Sequence, residues 1–265
     1  MIDEKVELLA NDEVSEDFYL ARLRAPHIAT EAVPGQFINI EVSATHAPFL
    51  RMPLSVCAVD SNAGTVDLLY ENMGPKSAAF TRLRPGEQTH CLGPLGKGFS
   101  APALGARAVL VGGGIGVPPM MFWGRTLLEQ GIDVTLLVGA RSASKHLPDE
   151  LLKGGTTLLR RASDDGSLGH HGLVTDLLRD ELTRGVCSVF TCGPHVMMAA
   201  VAALCVEADV PCQVSLEEYM ACGIGICVGC VVRVANPEGG SEYADYSRIC
   251  VDGPVFDARH ISWEH

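Results

Sequence analysis

The sequence is short of positive charge: 20 Lys and Arg stand against 32 Asp and Glu, a formal net charge of −12. Nucleic-acid phosphates need a Lys/Arg surface and no basic stripe is present, so nucleic acid is not an expected partner. An uninterrupted apolar run is also missing. The longest candidate, Ala108 to Gly124, is broken by Gly112, Gly113, Gly114, Gly116, Pro118 and Pro119. A membrane helix of roughly 20 residues would not carry so many breakers, so no membrane contact is expected. The opening stretch MIDEKVELLANDEV lacks the basic segment and apolar core of a signal peptide. A cytoplasmic location is therefore expected, and with it free thiols rather than disulfides. Internal repeats and low-complexity tracts are absent too.

What is present reads as globular, with 47% hydrophobic and 20% charged residues, too apolar a chain to stay disordered. Its 265 residues exceed a typical domain of roughly 100 to 200, so two or three compact units are expected. From residue 5 to 100 the pattern is short and β-like. QFINIEV (36 to 42) and TVDLLYEN (65 to 72) partly alternate between Gly, Pro and Asn punctuation, which fits an antiparallel barrel. Beyond 105 the rhythm changes. ARAVLVGG, DVTLLVGAR and CSVFTCGP read as strands, and PPMMFWGRTLLEQG, LVTDLLRDEL and HVMMAAVAALCVEAD as helices. Strands alternating with helices imply βαβ units and a parallel sheet. From Gln213 onward the chain turns Gly- and Cys-rich with few helical signals.

The segment YMACGIGICVGCVVRV (219 to 234) carries Cys222, Cys227 and Cys230 at the spacing C-x4-C-x2-C, and nineteen residues separate Cys230 from Cys250. That is the plant-type run for a 2Fe-2S cluster, with a fourth ligand from a later segment. Three thiolates converging on so small a cluster require the chain to wrap tightly. Glycines allow it, because they accept φ > 0 and expose N–H groups to the sulfurs. A four-cysteine zinc site is the competing reading, although Cys250 lacks the C-x2-C partner zinc sites usually use. Buried core cysteines are a third. Cys57, Cys91, Cys187, Cys205 and Cys212 are expected to be small buried hydrophobes.

VLVGGGIGVPPM (109 to 120) ends a strand in Gly112, Gly113, Gly114 and Gly116 and opens a helix with two prolines. Such glycines let backbone amides approach a pyrophosphate at the positive end of a helix. An ordinary tight βα turn explains the segment equally well, and Val117 replaces the third glycine of G-x-G-x-x-G.

Taken in order, RMPLS (51 to 55), GGGIG-x-P, CGP (192 to 194) and the four-cysteine segment resemble the ferredoxin reductase type of flavoprotein with an appended 2Fe-2S domain. Within that type, EEYMACGIGICVGC, CVDGPVF (250 to 256) and SDDGSLGHHGLVTDLL (163 to 178) are most similar to the electron transfer subunits of dihydroorotate dehydrogenase B. The resemblance spans essentially the whole chain. It implies that Arg51 contacts the FAD phosphates, that Met52 lies in the same FAD-binding motif, that Pro53 and Leu54 border the isoalloxazine, and that Ser55 hydrogen-bonds near its N5. Leu69, Tyr70 and Glu71 would line the flavin. The pyrophosphate turn, G-x-G-T in the family, reads Gly74-Pro75-Lys76-Ser77 here, so Lys76 stands in place of a glycine and Ser77 keeps the threonine hydroxyl. Cys192, Gly193 and Pro194 correspond to the nicotinamide site. Arg141, Ser142, Arg160 and Arg161 lie where a 2′-phosphate could be held, and NAD is the family's coenzyme.

The expected architecture is thus multidomain, β plus α/β: an N-terminal antiparallel FAD-binding β-barrel (1 to 100), a central parallel-sheet NAD-binding domain (101 to 212) and a small 2Fe-2S domain (213 to 265). No side chain is expected to act as a catalytic acid or base. By resemblance, the chain passes electrons between NAD and a separate FMN-containing dihydroorotate dehydrogenase catalytic subunit in pyrimidine biosynthesis, as a heterotetramer of two plus two. Met220 to Cys230 would lie near the docking surface, with Ile224, Ile226 and Val228 either meeting the partner or shielding the cluster. Similar subunits serve NADPH:ferredoxin oxidoreductases and sulfide dehydrogenase or hydrogenase complexes. A zinc-stabilised nucleotide-binding module is the alternative of a different class.

Overall fold

The computed structural model describes residues 1–43, 45, 47–235 and 245–263. Six antiparallel strands close a barrel: β1 (Ile2–Ser15), β2 (Phe18–Arg24), β3 (Phe37–Ile40), β4 (Met52–Asp60), β5 (Thr65–Glu71) and β6 (Gln88–Leu95), in the order β1-β2-β5-β4-β3-β6. Val6, Leu8, Leu23, Ile38, Ile40, Val56, Val66 and Leu68 fill it. These residues sit at alternate positions on most strands, as a half-buried sheet requires. Helix α1 (Pro26–Glu31) caps one end. The buried carboxylate of Glu4 accepts from the backbone N–H groups of His27 and Ile28, in place of a capping side chain from the helix itself. The second barrel helix, α2 (Pro75–Phe80), follows β5.

The second layer is a seven-stranded sheet. Strands β7 (Arg107–Gly113), β8 (Val134–Ala140), β9 (Leu158–Ser163), β10 (His170–His171), β11 (Cys187–Cys192) and β12 (Cys212–Ser215) are parallel, in the order β10-β9-β8-β7-β11-β12. Strand β11 is buried at every position, as expected where helices cover both faces of a parallel sheet. Helix α3 (Val117–Glu129) packs on one face; α5 (Val174–Leu182) and α6 (His195–Glu207) pack on the other, and short α4 (Asp149–Leu152) sits between β8 and β9. Trp123 of α3 stacks on Phe99, just past the barrel, at 5.8 Å, and meets Phe190 of β11 edge-on at 5.6 Å. Barrel and sheet therefore pack against each other through these rings.

The C-terminal segment adds a two-stranded sheet of β13 (Val231–Arg233) and β14 (Tyr246–Arg248). It then returns as β15 (Val255–Asp257), antiparallel to β12 at the edge of the large sheet. The expected division at 212/213 falls inside β12. Cys230, Ile249 and Cys250 share a hydrophobic core with Val214, Leu216, Phe37 and Leu95. The cysteine-rich segment is thus packed against both the barrel and the sheet. Among the described residues, no helix is long and apolar enough to cross a membrane.

Candidate functional site

The βα turn after β7 builds one wall of a cleft. Gly114 has φ +52 and opens a 3-10 turn to Gly116; Pro118 and Pro119 then start α3, where their missing N–H groups leave nothing unbonded. A methyl group added at Gly116 would overlap the carbonyl oxygen of Cys192, and one at Gly113 would lie 2.5 Å from Met197 Sδ. At Gly112 it would press on Val117 at 3.0 Å. These glycines bring the ends of β7 and β11 together. Gly193, at φ +153, completes the approach. Gly113, Gly114, Gly193 and Pro194 line an open cleft of about 920 Å³ that also meets Glu71, Gly139, Arg141, Asp164 and, from the C-terminal segment, Arg233. The cleft lies beyond the carboxyl ends of the parallel strands, where open α/β sheets bind ligands.

A second, smaller cavity of about 170 Å³ opens between the barrel and the rest of the chain. Pro53, Leu54, Ser55 and Leu69 form its barrel side; Pro118, Ser215, Met220 and Pro254 lie opposite. Ile115, Leu216, Glu217 and Glu218 line both cavities, so the two adjoin. Pro53, Leu54 and Ser55 of RMPLS and Ile115 of the glycine turn, about 60 positions apart in sequence, are brought to one place.

Other expected residues point elsewhere. Met52 is buried in the barrel core, and so is the Tyr70 ring, which stacks on Tyr19 and donates to Asn11 Oδ1 at 2.8 Å. Arg51 is engaged by carboxylates: Asp3 in two bonds of 2.9 and 3.0 Å and Glu41 in one of 3.0 Å. The Arg51 guanidinium holds the Asp3 carboxyl below its ordinary value. Gly74 is extended at φ −166 with open space beside it, so that position does not demand glycine. The Lys76 ammonium donates to the Arg51 carbonyl at 2.9 Å, and burial lowers its pKa. The Ser77 hydroxyl accepts from the N–H groups of Met73 and Gly74, tightening the turn from its inner side. Of the four candidates for a 2′-phosphate, Arg141 lines the cleft. Arg160 is paired with Asp180 and Glu181, Arg161 with Asp149, and the Ser142 hydroxyl meets Ser144.

The sequence pattern assigns no role to Glu217. Its carboxylate faces the buried Cys192 thiol at 3.9 Å. Burial pushes both groups up, the thiol well above its ordinary value. By area the residue is exposed, yet its carboxyl sits between the cleft walls, and that position accounts for the upward direction. A glutamate after a short strand carries no local signal; only the fold brings it beside Cys192.

The cysteine loop turns through two left-handed glycines, Gly223 (φ +69) and Gly225 (φ +82), and through Val228 at φ +56, a conformation costly for a β-branched residue. Backbone N–H groups of Ile224 and Cys227 lie 3.5 and 3.4 Å from the Cys222 sulfur. Burial pushes that thiol up, but these donors outweigh it and bring it down to about 6. Cys250 donates its N–H to the Cys230 sulfur at 3.5 Å, and burial, with the Cys230 thiol beside it, pushes the Cys250 thiol up to about 12. Cys227 thus sits against the Cys222 sulfur and Cys250 against the Cys230 sulfur, with Cys222 close enough to Cys250 to act on its charge. Among the described residues, no three His, Cys, Asp or Glu side chains converge as ligands of a single metal ion. A cluster of two irons, each held by two thiolates, asks for pairs rather than a four-fold meeting point. Cys227 is exposed while Cys230 and Cys250 are buried, so the loop reaches from the core to the surface.

Residues 217–262 match the family described as the iron-sulfur cluster binding domain of dihydroorotate dehydrogenase B, and residues 5–99 match the oxidoreductase FAD-binding domain. The dihydroorotate dehydrogenase B (NAD(+)) electron transfer subunit of Geobacillus thermodenitrificans is 38% identical over 263 residues, covering 97% of this chain and 98% of that protein. Its counterpart in Desulforamulus reducens is 36% identical over 252 residues, 95% of each. A solved structure of an NADH-dependent reduced ferredoxin-NADP oxidoreductase superposes with a TM-score of 0.84 at 28% identity, over 97% of this chain and 89% of that one. A ferredoxin reductase of carbazole 1,9a-dioxygenase, at 20% identity and TM-score 0.69 over 79% and 67%, shares the fold. The barrel, the parallel sheet and the paired thiols agree with these matches, and the chain belongs to the family of dihydroorotate dehydrogenase B electron transfer subunits.

Proposed function

We propose that the chain relays electrons between NAD in the large cleft and an FMN-containing dihydroorotate dehydrogenase catalytic subunit docked at the cysteine loop, in the cytoplasm and within a two-plus-two heterotetramer. The carrying observation is spatial order. The cleft adjoins the small cavity through Ile115, Leu216 and Glu217; Met220 lines the small cavity, and the cysteine loop begins two residues later and reaches the surface at exposed Cys227. When bound, FAD would exchange hydride with the nicotinamide and the cluster would take electrons one at a time. Pro53, Leu54 and Leu69 supply apolar walls for the flavin ring, and Ser55 a hydroxyl beside it. Gly112, Gly113, Gly114 and Gly116 open the backbone to the dinucleotide. Gly193 keeps the end of β11 free of a side chain, so that the nicotinamide approaches the flavin. For the flavin's pyrophosphate, Arg51 would exchange its Asp3 and Glu41 carboxylates for phosphate and Lys76 would leave the Arg51 carbonyl, while Ser77 shapes the turn from within. Cys222, Cys227, Cys230 and Cys250 hold the cluster.

The likeness to the NADH-dependent ferredoxin-NADP oxidoreductase supports a second reading, in which the partner is not a dihydroorotate dehydrogenase. One assay separates them. The purified chain is expected to contain iron and acid-labile sulfide in equal amounts and FAD, and to reduce one-electron acceptors with NADH. Dihydroorotate oxidation should begin only when the FMN subunit is added. Turnover before that addition would place a substrate site on this chain and reject the relay; no turnover after it would favour the second reading.

A further inference from the structure

Asn39 lies in the middle of β3, opposite Pro53 on β4 and Leu92 on β6. It is 1% exposed, and its Oδ1 is buried without a hydrogen-bond partner. Its neighbours two and more positions away on the same wall, Phe37 and Leu95, are apolar and belong to the core shared with Cys230 and Cys250. An unsatisfied buried amide oxygen costs about 1–3 kcal/mol, and an apolar side chain of the same shape would avoid that cost. The amide nitrogen faces the cysteine loop: a methyl group added at Gly223 would lie 2.7 Å from Asn39 Nδ2. Gly223 follows Cys222 directly, and its left-handed backbone and missing side chain leave nothing between the loop and the carboxamide. On the other side of β3, Pro53 lines the small cavity. The Asn39 carboxamide thus stands where the flavin-side strand meets the Cys222 end of the loop.

We propose that Asn39 is a positioning residue for the cluster, its carboxamide donating an N–H from the barrel wall to sulfur at the Cys222 end of the loop. This rests on the reading that Cys222, Cys227, Cys230 and Cys250 hold a 2Fe-2S cluster. Hydrogen bonds to cluster sulfurs favour the more negative, reduced state and so raise the reduction potential. Asn39 thereby makes the cluster a better acceptor of electrons, while fixing the loop against the strand that faces the flavin.

The test is redox potentiometry followed by EPR on the whole chain, comparing wild type with Asn39→Leu. The expected result is an unchanged content of FAD, iron and sulfide with a lower cluster potential and altered g-values. A filler role would change thermal stability alone, so full iron content with wild-type potential and g-values overturns the proposal. Should Asn39→Leu fail to load iron, pulsed EPR on reduced wild-type protein labelled with 15N in its asparagine carboxamides decides. A 15N coupling to the cluster is expected, and its absence overturns the proposal. Wild-type protein without iron and sulfide would instead overturn the cluster reading beneath it.

Discussion

Two residues of the site differ in why they resist substitution. Gly116 has an ordinary φ of −77 but no room, since any Cβ would overlap the Cys192 carbonyl. Gly114 has room but a left-handed φ of +52. Gly116→Ala must push the βα turn off β11, an overpacking cost of about 1–3 kcal/mol, and should weaken NADH binding as the cleft wall moves. Gly114→Ala should cost only about 1–2 kcal/mol, the strain of a left-handed alanine, with NADH affinity less affected. Denaturant melts and NADH titrations of both variants check the contrast. Val228 presents the opposite case, a branched residue holding a φ that suits asparagine or glycine. Because it is 55% exposed, Val228→Asn forfeits little packing and should raise stability by about 1 kcal/mol without changing iron content. A lower melting temperature in that variant would show that the valine side chain supports the loop.

At the level of elements, structure is legible in the sequence where a segment's own residues decide it. Strands β7, β8 and β11 and helices α3, α5 and α6 lie within a residue or two of their expected limits, because buried parallel strands and helices of nine residues or more carry unbroken signals. Strand β9, LLRRAS, was not legible: Arg160 and Arg161 look solvated in sequence, yet each finds a carboxylate across the fold. Helices α1 and α2, of six residues each, are too short for periodicity. Strands β12 and β15 exist through pairing with distant partners. The four cysteines proposed as ligands stand out by their spacing, whereas Glu217 and Asn39 acquire meaning only from tertiary neighbours. Glu181 shows what such neighbours contribute. It is 1% exposed and accepts from Arg107 and Arg160, tying α5 to both β7 and β9. Glu181→Ala leaves the heads of Arg107, Arg160 and Arg184 without it and should cost toward the lower end of about 3–5 kcal/mol, read in a denaturant melt. His146 makes a pH-dependent link of the same kind, its Nε2 within 3.2 Å of the Ala162 carbonyl and the Ser163 hydroxyl. Burial pulls its imidazole below the ordinary 6.5, with Arg161 adding to the effect and the Ala162 carbonyl opposing it. The unfolded chain then binds the proton first as pH falls, so stability declines from about pH 6.5 down to the folded pKa. His146→Gln is expected to lose less melting temperature between pH 7 and pH 5 than wild type; an equal loss would mean that other groups set the acid limb.

For the whole molecule, electrons are expected to leave through the face that carries the cysteine loop, where Cys227 is exposed. Tyr219 (95% exposed), Ile226 (76%), Val228 (55%) and Tyr246 (52%) all belong to the segment that carries the cysteines. Exposed apolar side chains gathered on one functional segment suit the apolar centre of a protein interface. With a net charge of −12, the remaining surface would repel another acidic protein, so this face should supply docking contacts that salt weakens little. Tyr219→Glu introduces charge there, three residues before the first cysteine. Iron content and NADH-driven reduction of ferricyanide should stay at wild-type levels, because neither requires a protein partner. NAD-dependent dihydroorotate oxidation with the FMN subunit should fall at least tenfold at limiting subunit concentration and recover as that subunit is raised, about 1.4 kcal/mol of lost association for each factor of ten. A loss that excess partner does not reverse would assign Tyr219 to the electron path itself rather than to docking.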